Sequence, residues 1–233
     1  MRSLYFDVLK GIAIIAVVLY HLGVCQYGYL GVDIFLVFAG YITMSSVYKS
    51  LNKNKGFKDF ILSRVSRLLP LLLIASTFTL LFGSLFMLPD DLENLSQSII
   101  ATEFFGNNIL QCITTHNYWD VVNEYKPLMH TWYVGLIMQY YLIIPFLYFL
   151  LVKKLNNSKK VLLTLNLVVL FFSLVLYLFV GEPAEKFYYL PYRLFEFSIG
   201  ALFFEIQSIP FKVYPSKYID YILYTFNFVL VHK

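Results

Sequence analysis

Lys10 and His21 stand eleven residues apart in the first apolar run of this chain. On an α-helix that separation climbs about 16 Å and leaves only about 20° of rotation, so both side chains share one face. Ionisable groups inside an apolar helix are costly, and they usually face a bundle interior and mark a site or pathway. An imidazole suits proton transfer near neutral pH. Asp33 follows after a short turn, where a carboxylate can orient the imidazole or stabilise its charged form. Each residue also has a plainer reading. A lysine can snorkel to the interface, a histidine can hydrogen-bond two helices together, and a carboxylate beside Gly31 can cap a helix. The three on adjoining segments favour a site.

Arg64 and Arg67 add a second cationic element. Residues three apart on a helix are surface neighbours, and guanidinium forks suit phosphate; ordinary anchoring at a basic membrane flank explains them equally well. A cation at one level and an imidazole further along match a donor with phosphates at one end and a reactive thioester on a long arm, the layout of acyl-CoA. These residues alone do not separate an acyltransferase from a transporter.

The elements that position them are membrane helices. Hydrophobic residues make up 59% of the chain and charged residues 14%, against about 25% charged in soluble domains. Apolar runs of about 20 residues cross a bilayer, and their backbone must be satisfied internally, as helices do. Such runs fall at 8–25, 31–48, 68–88, 129–152, 161–180 and 191–207, with a weaker seventh at 218–231. The fold class expected is all-α, a polytopic bundle of six to seven spans. The first run has no small-residue cleavage site and reads as a retained span. Segment 49–67 carries six basic residues against Asp59, and 153–160 carries Lys153, Lys154, Lys159 and Lys160 with no acid. Segment 89–128 carries six acids, including Asp120 and Glu124, against Lys126. Basic connections stay cytoplasmic, which places the N-terminus inside and 89–128 outside, folded over the bundle because it is too long for a simple link. Cys25 and Cys112 show no metal-ligand spacing and read as small apolar residues or, less readily, a disulfide. No metal site is expected.

Several blocks resemble one family. SLYFDVLKGIAIIAVVLYH at 3–21 is similar to a helix in which an arginine precedes a histidine at the spacing of Lys10 and His21. GYLGVDIFLVFAGYIT at 28–43 resembles a Gly-Val-Asp stretch that leads to Ser-Gly, and FILSRVSRLLP at 60–70 an Arg-x-x-Arg region before proline. HTWYVGLIMQYYLIIP at 130–145 resembles a segment centred on Trp132, with Gln139, Tyr141 and Pro145 in place. PYRLFEFSIGAL at 191–202 is similar to a later helix with Arg193, Glu196 and Gly200. In this order the blocks resemble the integral membrane acyltransferase 3 family, which includes O-antigen acetylase-like proteins. Lys10 stands where the family has arginine, Ala39 where serine is common, and Ile137 where many relatives carry glutamate. The last substitution removes any acid–base role for that carboxylate.

The resemblance implies an acyltransferase 3-like transmembrane domain over 1–207, followed by an atypical tail, 208–233, that reads as a possible truncated span. It implies transfer of an acetyl group from cytoplasmic acyl-CoA to a hydroxyl of a cell-surface polysaccharide or a lipid-linked glycan precursor. His21 is the expected base or acyl carrier, with Lys10 and Asp33 in the catalytic set. Lys10, Arg64 and Arg67 are expected to hold the donor's phosphates. Trp132, Gln139 and Tyr141 line a pocket or pack, while His130 and Trp132 lie near the outer interface where a sugar can stack. Arg193 and Glu196, one turn apart, are expected to form an internal ion pair. No bound cofactor is expected, acetyl-CoA being a co-substrate. The expected partners are the lipid bilayer, acyl-CoA and a glycan, with no nucleic acid, at the inner (cytoplasmic) membrane. A glycan or small-anion transporter subunit and an inactive truncated remnant are the alternatives.

Overall fold

The computed structural model describes residues 4–114, 126–154 and 158–207. Among them the helices are, in chain order, α1 (Leu4–His21), α2 (Leu30–Asn52), α3 (Phe57–Phe86), α4 (Pro89–Glu103), α5 (Asn107–Thr114), α6 (Trp132–Lys154), α7 (Ser158–Phe179), α8 (Pro183–Tyr188) and α9 (Leu190–Gln207). A 3-10 turn, Met129–Thr131, leads into α6. The described residues contain no strand. Helices α1, α2, α3, α6, α7 and α9 fall on the six expected crossings. Four stretches, Leu30–Asn52, Phe57–Phe86, Met129–Lys154 and Lys159–Phe179, are long and apolar enough to cross a membrane by length and composition. Phe78, Phe82 and Leu85 on α3 and Phe171, Phe172 and Phe179 on α7 are exposed, as lipid-facing side chains must be. The seventh run at 218–231, the tail 208–233, and Asp120 and Glu124 lie outside the described residues.

Three boundaries differ from the sequence reading, each for a local reason. Helix α3 begins at Phe57, well before residue 68, because Gly56 caps it and the Asp59 carboxylate accepts the Gly56 N–H at 3.2 Å. Arg64 and Arg67 therefore lie inside a helix that runs on through Pro70. Helix α1 stops at His21 instead of residue 25. Gly23 adopts φ +72° there, its N–H bonding Tyr20 O and the Val24 N–H bonding Leu19 O, each at 2.9 Å. That paired closure ends a helix on a left-handed residue and leaves His21 at the rim. The described part of the 89–128 segment, residues 89–114 and 126–128, packs against the bundle through helices α4 and α5. Ser76 on α3 donates to Glu103 on α4 at 2.7 Å. On α5, Asn107 donates to Leu128 O at 2.9 Å and Asn108 to Tyr188 O at 3.0 Å.

Helices in lipid gain little from hydrophobic association and pack through small residues. An added methyl at Gly40 would meet Phe197 C at 2.7 Å, and one at Gly200 would meet Val37 C at 2.8 Å. Helices α2 and α9 thus cross backbone to backbone. Gly31 sets α2 against Ala13 of α1 in the same way, since a methyl added there would lie 2.6 Å from the Ala13 carbonyl oxygen. Around this crossing sits the core, with Leu36, Met44, Trp132, Tyr140, Tyr148 and Phe197 among its buried side chains.

Candidate active site

His21 closes α1 beside a cavity of about 170 Å³ lined by Val17, Tyr20, Asp33, Phe187 and Arg193 among others. Its ring stands edge-on to His130, with centroids 5.0 Å apart and planes at 80°. The two histidines come from elements far apart in sequence, the end of α1 and the turn before α6. On the sequence alone His130 is an interfacial residue for a sugar. The fold makes it the neighbour of the expected base.

The opposite wall is ionic. Arg193 Nη1 donates to Asp33 Oδ1 at 3.0 Å and to Glu196 Oε1 at 2.5 Å. Its Nε reaches Phe187 O at 3.3 Å, and its guanidinium lies 5.2 Å from the Phe187 ring centroid. The Arg193–Glu196 pair stands as expected, but Asp33 joins it. The carboxylate expected to orient the imidazole takes its hydrogen bond from Arg193, because α2 and α9 meet closely while His21 sits at the end of α1. Asp33 still faces the same cavity as His21. A guanidinium 8% exposed needs this company, since an unpaired buried charge is strongly destabilising.

The expected phosphate-binding cations are not gathered at one place. Lys10 lies 3.9 Å from Asp7 and 5.8 Å from the Phe38 ring centroid. Arg64 turns inward, donating to Ser46 Oγ at 2.6 Å and lying over the Phe60 and Tyr141 rings at 5.1 and 5.3 Å. Arg67 is exposed. The paired fork is therefore one inward and one outward guanidinium, with Tyr141 as a wall for the inward one. Trp132, 2% exposed, packs on Phe187 at 4.6 Å between centroids and backs the cavity without lining it. Gln139 and Asn108 exchange amide hydrogen bonds at 2.8 and 3.2 Å, and Gln139 also donates to Phe105 O at 3.2 Å, so it clamps α5 to α6.

Against known proteins, the chain matches the family described as acyltransferase domain over residues 3–226. The chain belongs to this family. This acyltransferase-family chain is 29% identical over 201 residues to a Listeria monocytogenes protein named peptidoglycan O-acetyltransferase, covering 83% of the chain and 32% of that protein. It is 28% identical over 221 residues to a Bacillus subtilis protein provisionally given the same name, covering 91% and 35%. A Staphylococcus aureus protein provisionally named an O-acetyltransferase is 27% identical over 230 residues, covering 93% and 37%. The chain spans about a third of the length of these relatives. No solved structure matches it.

One polar layer of this acyltransferase-family chain escaped the sequence reading. Tyr148 on α6 donates to Asn166 on α7, with Glu205 of α9 buried close by, 3% exposed. A carboxylate in the last turns of a crossing was the available signal, because such groups are rarely buried without partners. Cys25 and Cys112 are both free thiols, and no cluster of three or more metal-ligating side chains occurs among the described residues.

Proposed function

We propose that the chain moves an acetyl group from a cytoplasmic acyl-CoA to a hydroxyl of a cell-wall polysaccharide, with His21 as general base. The supporting observation is His21 at the cavity rim, held edge-on by His130 and facing a wall that carries Asp33. The imidazole takes the acceptor hydroxyl proton as that oxygen attacks the thioester carbonyl carbon. The carbon–sulfur bond breaks, and the departing thiolate takes the proton back from the imidazolium. A carboxylate on the same wall favours the imidazolium that forms in between. His130 acts as a positioning residue. The basic connections lie on the cytoplasmic side, and Arg64, over Tyr141, binds the phosphate-bearing part of the donor. Membranes carrying the chain, given labelled acetyl-CoA and cell-wall glycan, should label the glycan, and His21→Ala should abolish the label. Undiminished transfer by His21→Ala would remove the proposed base.

A further inference from the structure

A cavity of about 170 Å³ beside His21 is smaller than the roughly 300–1,000 Å³ of ordinary ligand sites, so it takes only the reacting end of an acceptor. The body of the acceptor must be held elsewhere. A cleft of about 680 Å³ opens between α4, α5 and residues 126–128. One wall is a polar stripe on α4, with Asp91, Asn94 and Gln97 at three-residue intervals so that they share one face. The opposing wall carries Gln111 and Thr114 of α5, and Leu95, Leu110 and Leu128 supply apolar surface. Among the described residues, Asp91 and Asn94 have no side-chain partner. Lys126 also lines the cleft, and burial lowers its pKa from the usual lysine range, so its ammonium sits partly out of water.

Amide side chains, the hydroxyls of Ser98 and Thr114 and apolar strips are what a chain of N-acylated sugars requires. Amides pair with the N-acyl groups and ring hydroxyls, and leucines cover the sugar C–H faces. The cleft is also tied through the chain to the His21–His130 pair. Leu128 lines it and accepts hydrogen bonds from Asn107 at 2.9 Å and Thr131 at 2.8 Å. His130 follows two residues later, at most about 7 Å of extended chain away. We infer that this cleft is the docking site for an N-acylated glycan strand, which the 126–131 segment delivers to His21. The inference rests on the acetyl-transfer reading for its purpose, but not for its test.

The test titrates chitotetraose, a linear oligomer of N-acetylglucosamine, into the detergent-solubilised chain by calorimetry. Saturable binding is expected, with Asn94→Ala and Gln97→Ala each weakening it about tenfold, the loss of one good hydrogen bond. Cellotetraose, which lacks the amides, should bind more weakly, and His21→Ala should bind chitotetraose like the parent. Both α4 positions are exposed, and matching thermal unfolding of the variants checks that they fold. Absent binding, equal binding of the two oligomers, or binding indifferent to both α4 substitutions would overturn the docking site. The two readings also fail differently. Chitotetraose binding without acetyl transfer sinks the reaction and leaves the cleft, whereas transfer with an unchanged acceptor KM in Asn94→Ala sinks the cleft alone.

Discussion

Gly40→Ala is the smallest change that tests how the fold holds the site together. The added methyl would stand 2.7 Å from Phe197 C and 2.9 Å from its Cα. A comfortable carbon–carbon contact is about 3.5 Å, and the Phe197 carbonyl oxygen stands nearer still, so α2 and α9 must part by at least about 0.8 Å. The obstacle is backbone, which cannot rotate aside as a side chain would. Seven residues before Gly40 lies Asp33, and seven before Gly200 lies Arg193. A heptad returns to nearly the same helix face, so both residues of the ion pair share the faces that the glycines bring together. Opening the crossing by 0.8 Å would stretch the 3.0 Å Arg193–Asp33 bond past the useful hydrogen-bond range of about 3.2 Å. The overpacking itself should cost about 1–3 kcal/mol. Thermal unfolding in detergent should therefore fall clearly, and acetyl transfer should fall with it as the cavity wall loosens. Gly11→Ala is the control, since nothing lies within 4 Å of its added methyl. A Gly40→Ala chain as stable and as active as the Gly11→Ala chain would refute the claim that close backbone approach positions the site.

Two further substitutions separate the roles assigned here. Arg64→Ala should raise the KM for acetyl-CoA by about tenfold, for a lost charge-assisted contact, while Arg67→Ala should leave it near the parent value; steady-state kinetics over donor concentration would show the split, and equal effects would contradict the inward–outward division. His130→Ala should lower kcat with little change in donor KM, and His130→Gln, which keeps a polar planar group beside His21, should restore part of the rate. A loss confined to thermal stability, with kcat intact, would make His130 a packing residue only.

Features that depend on one stretch of chain were legible in the sequence. The six expected crossings all fall on helices, four of them long and apolar enough to cross a membrane, and the Arg193–Glu196 pair shows because its members are one turn apart. Local features still hid where polar residues begin a helix. The start of α3 mixes Lys58, Asp59 and Arg64 with apolar residues, so an apolar window opens late, and the capping of Gly56 by Asp59 decides the true start. The acidic 89–128 segment reads as a loop folded over the bundle, with no helices assigned to it, yet Pro89 at the first position of α4 and the buried amides of α5 make helices of its first part. What the sequence could not display is pairing between distant helices. Nothing near Asp33 indicates Arg193, and nothing near His21 indicates His130.

Those distant pairings nevertheless follow from a short set of residues once the helices are laid side by side. Gly40 and Gly200 permit α2 and α9 to touch, and that contact commits the Asp33 carboxylate to Arg193. With the carboxylate engaged, the only other ring set against the imidazole, apart from its chain neighbour Tyr20, is His130 among the described residues. Gly23 ends α1 at the level where the turn carrying His130 enters α6, so the histidine pair depends on one left-handed residue. The small residues between helices, more than the charged ones, therefore decide which chemistry the charged ones can perform.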